Sequence, residues 1–144
     1  MRSIAWQNRF VIFLDQTKLP LEEVYIETDD ETVIAQAIKS LAIRGAPLLG
    51  IAAAYGFVLS FNKLRAADAH ALTECIERTT NLFISTRPTA TNLFWAVNAM
   101  RHVAIDSAGQ PAETIQANML SAAKALHAED EENCRLIGEL GAAI

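Results

Sequence analysis

The chain has 144 residues, of which 51% are hydrophobic and 20% are charged, and its formal net charge is −5. This length predicts one domain with enough apolar residues for a sizeable core. The acidic balance argues against a general nucleic-acid-binding protein, which usually carries a basic face. Lysines and arginines never occur side by side, which argues against binding to anionic membranes. We therefore expect neither nucleic acid nor a membrane as a partner.

The N-terminus and the cysteines indicate a cytoplasmic protein. Residues 1–10, MRSIAWQNRF, lack the apolar core of a signal peptide. The longest uncharged run, 46–62, falls short of the ~20 apolar residues that a membrane-spanning helix needs. Cys75 and Cys134 are too few for a disulfide framework, and we expect both to be buried or half-buried thiols in helices.

Residues 1–28 predict a small antiparallel β meander. Its three runs of β-branched and aromatic residues are 4–6, 10–14 and 24–26, and Asp15 begins the turn after the second run. Three short strands are stable only with a hydrophobic partner. We therefore expect this lead-in to lie on the helices that follow.

Residues 29–144 predict a helical bundle, so the expected fold class is mainly α with a small β meander (α+β). Apolar residues recur at helical spacing in five segments. Thr28 and Glu31 have the spacing of a capping box before the first segment. The segment after Pro47 is apolar throughout, and we expect it to be the buried central helix. The expected segments are 30–42, 47–63, 67–85, a fourth from Pro88 to near Gly109, and a fifth from Ala112 with a break in the polar stretch 127–133.

The tetrapeptide Arg44-Gly45-Ala46-Pro47 is the first candidate binding site. We expect Gly45 to end the first helix in a left-handed turn and Pro47 to open the next. The start of a helix offers unpaired N–H groups and the positive end of its dipole, and Arg44 adds a forked cationic donor. The pattern favours a binding site for a phosphate or carboxylate group. The alternative is an ordinary helix–helix turn with a surface arginine.

Arg87-Pro88 repeats this arrangement, with Thr86 as a candidate cap and Thr89 and Asn92 in the expected first turn. Two such arginines among only 12 basic residues favour one anionic ligand shared by both. The alternative is two plain helix starts. The sequence by itself does not place the two arginines together.

Other polar residues give weaker signals. His70, His102 and His127 lack metal-ligand spacing, so we predict no metal site and expect these side chains to face solvent. The acidic run 129–132 is typical of a solvated helix face, and a catalytic carboxylate pair is the less favoured interpretation. Asp15 is interpreted as a turn residue.

Three motifs, found in this order, resemble the methylthioribose-1-phosphate isomerases within the wider initiation factor 2B alpha/beta/delta-like proteins. They are Leu14-Asp15-Gln16 with Leu19-Pro20, IRGAPLLGIAAAYG at 43–56, and RPTATNLFWAV at 87–97. The segment 129–142 also resembles the end of that family's N-terminal region. The resemblance covers essentially the whole chain, and the first motif favours the isomerases over the regulatory initiation-factor subunits.

The resemblance implies an aldose–ketose isomerase of methionine salvage that converts 5-methylthioribose 1-phosphate to 5-methylthioribulose 1-phosphate. It implies a homodimer, no metal or organic cofactor, and contacts to the phosphorylated sugar from Arg44, Gly45, Ala46 and Arg87. The family's catalytic cysteine and aspartate lie in a following Rossmann-like domain that these residues do not include. Residues 1–144 are thus interpreted as a single N-terminal domain without catalytic residues, and we expect no turnover from it alone.

Two alternatives stay open at this point. One is a non-catalytic regulatory module of the initiation factor 2B-like family that binds a sugar phosphate or nucleotide. The other is a structural remnant that only self-associates. The C-terminal residues GELGAAI end in an uncapped apolar helical pattern, so we expect further chain to follow.

Overall fold

The structure, a computed structural model, describes residues 2–66 and 68–144. It confirms the expected mainly α fold with a small N-terminal β meander. The start of the predicted third helix, Ala67, lies outside the described residues. The strands and helices are β1 (Ile4–Gln7), β2 (Phe10–Leu14), β3 (Tyr25–Thr28), α1 (Glu31–Lys39), α2 (Ala46–Asn62), α3 (Ala69–Ile84), α4 (Thr91–Asp106) and α5 (Ala112–Ala142).

The three strands form one antiparallel sheet in the order β1-β2-β3. Ile4 pairs with Phe13, and Val11 pairs with Thr28. Val11 and Phe13 belong to the common core, and Trp6 of β1 stacks on Tyr55 of α2 with ring centroids 5.8 Å apart. The sheet therefore lies on the helices, as its short strands require.

Helix α2 is the centre of the bundle, as predicted. Its residues from Leu49 to Phe61 are all buried, and it contacts the other four helices and β1. Two glycines permit this close packing. A Cβ at Gly50 would lie 3.0 Å from the Asn92 carbonyl oxygen of α4, and a Cβ at Gly56 would lie 2.1 Å from the Phe83 ring of α3.

The beginning and end of α1 differ from the sequence prediction. Asp30, rather than Thr28, caps this helix, because its Oδ1 accepts hydrogen bonds from the Thr32 amide and hydroxyl at 2.8 and 2.7 Å. The left-handed residue after the helix is Leu41 (φ 68°), and Gly45 (φ 112°) instead precedes α2. The helix ends early because the Ile43 amide donates to the Ala37 carbonyl, which turns the following chain back into the core.

Helix α4 begins three residues later than predicted, so the expectation that Pro88 opens it was wrong. The Ala90 amide donates to the Arg87 carbonyl at 3.1 Å, which closes a turn with Pro88 at its second position, a position that proline favours. The Thr86 hydroxyl donates to Phe83 in α3 and does not cap α4. The predicted inner stripe is confirmed, with Leu93, Val97, Met100 and Ala104 buried.

Helix α5 is continuous, and the predicted break at 127–133 is wrong. Alanine and glutamate favour helix in this stretch, and neighbouring turns are joined by contacts such as His127 to Glu131. Ile115, Met119 and Ala123 fix its first half to the core, and all residues from 131 onward are exposed. The expectation of a buried or half-buried thiol is therefore correct for Cys75 and wrong for Cys134. Within 2–66 and 68–144, every helix is too short or too polar to cross a membrane.

Candidate anion-binding site

The start of α2 has no side chain that could cap it. Its N-cap residue is Gly45, and the first hydrogen bond of the helix runs from the Leu49 amide to the Gly45 carbonyl at 3.0 Å. The amides of Ala46 and Leu48 therefore have no partner within the helix, and Pro47 has no amide hydrogen. Gly45, Ala46 and the adjacent Arg44 are exposed to solvent.

The start of α4 has the same property. Its N-cap residue is Ala90, which has no polar side chain, and the first helical hydrogen bond is donated by Phe94 to the Ala90 carbonyl at 3.2 Å. The amides of Thr91, Asn92 and Leu93 are thus without intrahelical partners. Arg87 lies in the turn before this helix and is half-buried.

The fold brings these two helix starts to one cavity of about 450 Å³, which we call the anion cleft. All four residues predicted to bind an anion, Arg44, Gly45, Ala46 and Arg87, border it. The convergence depends on the crossing of α2 and α4 at Gly50, where the first turn of α4 lies against α2. The complete lining is Leu41, Arg44, Gly45, Ala46, Leu49, Arg87, Thr89, Ala90, Thr91 and Asn92.

The anion cleft is electropositive. Its lining includes two arginines and no carboxylate, and within the described ranges neither arginine forms an ion pair. Both helix dipoles contribute positive ends at the same place. Backbone amides, hydroxyls of Thr89 and Thr91 and two guanidinium groups are suited to a phosphate group.

Gln16 holds the arginine at one end of the cleft. Its Nε2 donates to the Arg44 carbonyl at 3.0 Å, and its Oε1 lies 3.4 Å from Arg44 Nε, which donates to it. The backbone N–H of Gln16 also donates to the Ala42 carbonyl at 2.9 Å. Gln16 is part of the Leu14-Asp15-Gln16 motif, which was the available signal for a role that the sequence analysis did not assign.

Asp15 fixes the turn that presents Gln16. It is buried, and its Oδ1 accepts from the Thr17 amide at 2.9 Å and from the Thr17 hydroxyl at 2.6 Å. Its interpretation as a turn residue is therefore confirmed.

A second cavity of about 390 Å³, the side cleft, adjoins the anion cleft at Arg44, which borders both. Its other polar lining residues are Arg2, Ser3, Gln16, His127, Asp130 and Glu131. The expectation that all histidines face solvent fails for His127, whose side chain is only 19% exposed. Part of the acidic run thus lines a cavity and is not simply a solvated helix face.

His127 is held between Tyr55 and Glu131. The Tyr55 hydroxyl lies 2.8 Å from His127 Nδ1, and His127 Nε2 lies 3.5 Å from Glu131 Oε1. Burial, and to a lesser degree Glu131, raises the pKa of Tyr55 to about 12, so the hydroxyl keeps its proton at neutral pH. The Tyr55 hydroxyl can donate to an unprotonated Nδ1 or accept from a protonated one, so either tautomer keeps this contact. No sequence spacing signals this contact between residues 55 and 127.

The described residues contain no group of three or more His, Cys, Asp or Glu side chains arranged to hold a metal ion.

Residues 42–144 match the model of the initiation factor 2 subunit family. Over 141 residues the chain is 39% identical to methylthioribose-1-phosphate isomerase of Trichormus variabilis, covering 98% of this chain and 40% of that protein. The chain thus spans about two fifths of the length of the curated relatives that it matches.

Two solved structures have a similar fold. 5-Methylthioribose 1-phosphate isomerase from Pyrococcus horikoshii OT3 gives a TM-score of 0.82 at 29% identity over 89% of this chain and 36% of that chain. The delta subunit of translation initiation factor eIF-2B from A. fulgidus gives 0.83 at 38% identity over 92% of this chain and 38% of that chain. The matched motifs, the shared fold and the family match over most of the length together establish that this chain belongs to the initiation factor 2 subunit family.

Proposed function

We propose that this chain is the N-terminal, substrate-binding part of an isomerase that converts 5-methylthioribose 1-phosphate to 5-methylthioribulose 1-phosphate. In this proposal the anion cleft binds the phosphate group of the sugar. Arg44 and Arg87 balance its charge, and the helix starts at Gly45-Ala46 and Ala90-Thr91 donate backbone hydrogen bonds to its oxygens.

The observation that carries the proposal is the meeting at one cavity of two helix starts without side-chain caps and two arginines that form no ion pair with any described residue. Each feature alone is common at helix ends. Together they offer several donors to one dianion and no competing carboxylate among the lining residues. A phosphate monoester is therefore the ligand class that the cleft fits best.

The choice of an isomerase rests on relatives. Curated proteins with similar sequence over nearly this whole chain are named methylthioribose-1-phosphate isomerase. Their names supply the sugar phosphate and favour the isomerase over the regulatory initiation-factor module. We further propose that the whole protein is a homodimer of the cytoplasmic methionine salvage route, because that is what its likeness to these isomerases implies.

The proposal assigns binding, not proton transfer, to this chain. An aldose–ketose isomerisation moves hydrogen between C1 and C2 and needs an acid–base pair or an equivalent group near those carbons. The lining of the anion cleft contains no carboxylate, cysteine or histidine. We therefore expect residues 1–144 alone to give no turnover of the sugar phosphate, and measurable isomerisation by this chain would contradict this division of roles.

A titration followed by NMR tests the phosphate assignment. Addition of 5-methylthioribose 1-phosphate to the ¹⁵N-labelled chain should shift the amide resonances of Ala46, Leu48, Thr91, Asn92 and Leu93. Replacing Arg44 or Arg87 by alanine should each weaken binding about tenfold, the usual loss for one charged hydrogen bond.

Arg135→Ala is the matched control, because Arg135 pairs with Glu132 and Glu139 on the exposed half of α5 and does not line the anion cleft. It should leave the affinity unchanged. Shifts that are absent from the two helix starts, or equal losses with all three arginine variants, would overturn the proposal.

A further inference from the structure

We infer that the side cleft is the subsite for the hydroxyl groups of the phosphorylated sugar, with Asp130 and Glu131 as its acceptors. This inference rests on the proposed function, since it extends the ligand from the anion cleft. It assigns a binding role to the acidic part of α5, to which the proposed function gives none.

The position of the side cleft is the first argument. Arg44 borders both cavities, so a ligand whose phosphate contacts Arg44 extends from one cavity into the other. Gln16 lies at the same junction and holds Arg44 through both its backbone carbonyl and its Nε. The side cleft, at about 390 Å³, has room for a five-carbon sugar.

The charge of the two cavities is the second argument. Arginines line both cavities, since Arg2 and Arg44 border the side cleft, but only the side cleft has carboxylates, those of Asp130 and Glu131. Carboxylates repel a phosphate and accept hydrogen bonds from neutral hydroxyls. A ligand with a phosphate at one end and hydroxyls at the other therefore binds more favourably with its phosphate in the anion cleft, where no carboxylate repels it.

The third argument is that the side cleft has an ordered wall. His127 lines it and is held from behind by the buried Tyr55 hydroxyl at 2.8 Å. Its Nε2 lies 3.5 Å from Glu131 Oε1 on the next turn of the helix. Trp6 stacks on Tyr55 from the sheet, so the contacts that fix His127 come from β1, α2 and α5. The part of the wall formed by His127 is therefore fixed before a ligand binds, which lowers the entropy cost of binding.

Two phosphate monoesters separate this inference from the proposed function. Methyl phosphate carries the anion without hydroxyls, and ribose 1-phosphate carries both. In NMR titrations the chain should bind ribose 1-phosphate more tightly than methyl phosphate. Asp130→Asn and Glu131→Gln should each weaken ribose 1-phosphate binding about tenfold without weakening methyl phosphate binding, since each removes a charged acceptor for hydroxyls and no donor to the phosphate.

Glu132→Gln is the matched control, because it makes the same change at the next position of α5 on a residue that pairs with Arg135 and does not line the side cleft. It should change the affinity for neither monoester. The inference is overturned if methyl phosphate and ribose 1-phosphate bind equally, or if Asp130→Asn and Glu131→Gln behave as Glu132→Gln; the phosphate assignment then still stands. If methyl phosphate itself fails to bind, the phosphate assignment fails, and the hydroxyl subsite fails with it.

Discussion

The helices of this protein begin in two different ways. Helices α1 and α3 begin with Asp30 and Asp68, whose carboxylates accept from the amides of Thr32 and Ala71, both at 2.8 Å. Helices α2 and α4 begin with Gly45 and Ala90, which have no side-chain acceptor. An aspartate at the N-cap stabilises a helix by about 1 kcal/mol relative to alanine and by only a few tenths of a kcal/mol relative to glycine, so α4, and to a smaller degree α2, lacks a stabilisation that α1 and α3 have.

The presence or absence of a side-chain cap coincides with where each helix start lies. The two starts without a cap border the anion cleft with Arg44 and Arg87, and the two capped starts do not border it. Helix α5 begins at Pro111, also without a side-chain cap, yet it does not border this cleft either. A missing cap therefore does not mark a binding site by itself. The convergence of two such starts with two cations does.

The largest expected effect on phosphate binding comes from giving α4 an aspartate N-cap like that of α1. Ala90 has extended backbone angles (φ −84°, ψ 97°), as an N-cap residue needs, so Ala90→Asp should cap the helix without strain. The new carboxylate occupies the amides and repels an anion, and we expect inorganic phosphate to bind about 10- to 100-fold more weakly. The free energy of unfolding in urea should rise by up to about 1 kcal/mol.

Ala90→Ser is the companion variant, since it adds a cap without adding charge. It should stabilise the chain similarly and weaken phosphate binding less than Ala90→Asp. Phosphate titrations with unchanged affinity in Ala90→Asp would show that the start of α4 does not contact the anion.

Two glycine variants of α2 test whether phosphate binding depends on the meeting of the α2 and α4 starts or on the overall stability of the chain. Each substitution by alanine overfills a close contact and should lower the free energy of unfolding by about 1–3 kcal/mol. Gly56→Ala should cost more, since its Cβ would lie 2.1 Å from the Phe83 ring, against 3.0 Å from the Asn92 carbonyl oxygen for Gly50→Ala. Only Gly50→Ala should weaken phosphate binding, because Asn92 belongs to the first turn of α4 and lines the anion cleft.

Urea unfolding and phosphate titration of both variants, under conditions where each is folded, provide the measurement. An equal loss of phosphate affinity in Gly56→Ala would mean that packing throughout the bundle, and not the α2–α4 crossing, sets the geometry of the cleft.

The smallest effect on phosphate binding is expected from substitutions at the capped starts of α1 and α3. Asp30→Ala and Asp68→Ala should each lower the free energy of unfolding by about 1 kcal/mol and leave phosphate affinity unchanged. The Thr32 hydroxyl, followed by its amide, holds the pKa of Asp30 below its ordinary value of 3.8. The contribution of this cap is therefore complete above that value and is lost as the pH falls through the lower folded-state pKa.

Urea unfolding at pH values from neutral into the acid range measures whether the stabilisation by the Asp30 cap is lost as the pH falls. Asp30→Ala should lack part of the acid destabilisation seen in the unmodified chain. A loss of phosphate affinity in either aspartate variant would break the distinction between capped and open helix starts.

The sequence by itself determined the local features of this protein. The uninterrupted apolar run of α2 leaves no polar face for solvent, so burial on all sides followed from composition. Helical spacing identified the buried stripe of α4, and runs of β-branched and aromatic residues bounded by turns identified the three strands. Arg44 and Arg87 beside helix starts were likewise visible, because helix ends leave amides unpaired wherever they occur. That these residues bind a sugar phosphate stays a prediction.

Only the tertiary structure decided which of these features meet. Gly50 lets α4 approach α2 until the two helix starts share one cavity, a contact between distant segments that no local pattern encodes. The same holds for Gln16 with Arg44, and for Tyr55 with His127. The tertiary structure also decided which residues cap the helices. The Thr28 hydroxyl accepts from the Asp30 amide, Gly45 has a positive φ before α2, and the Thr86 hydroxyl donates to the Phe83 carbonyl. Periodicity reports which face of an element is apolar, whereas the partner of that face depends on how all the elements pack together.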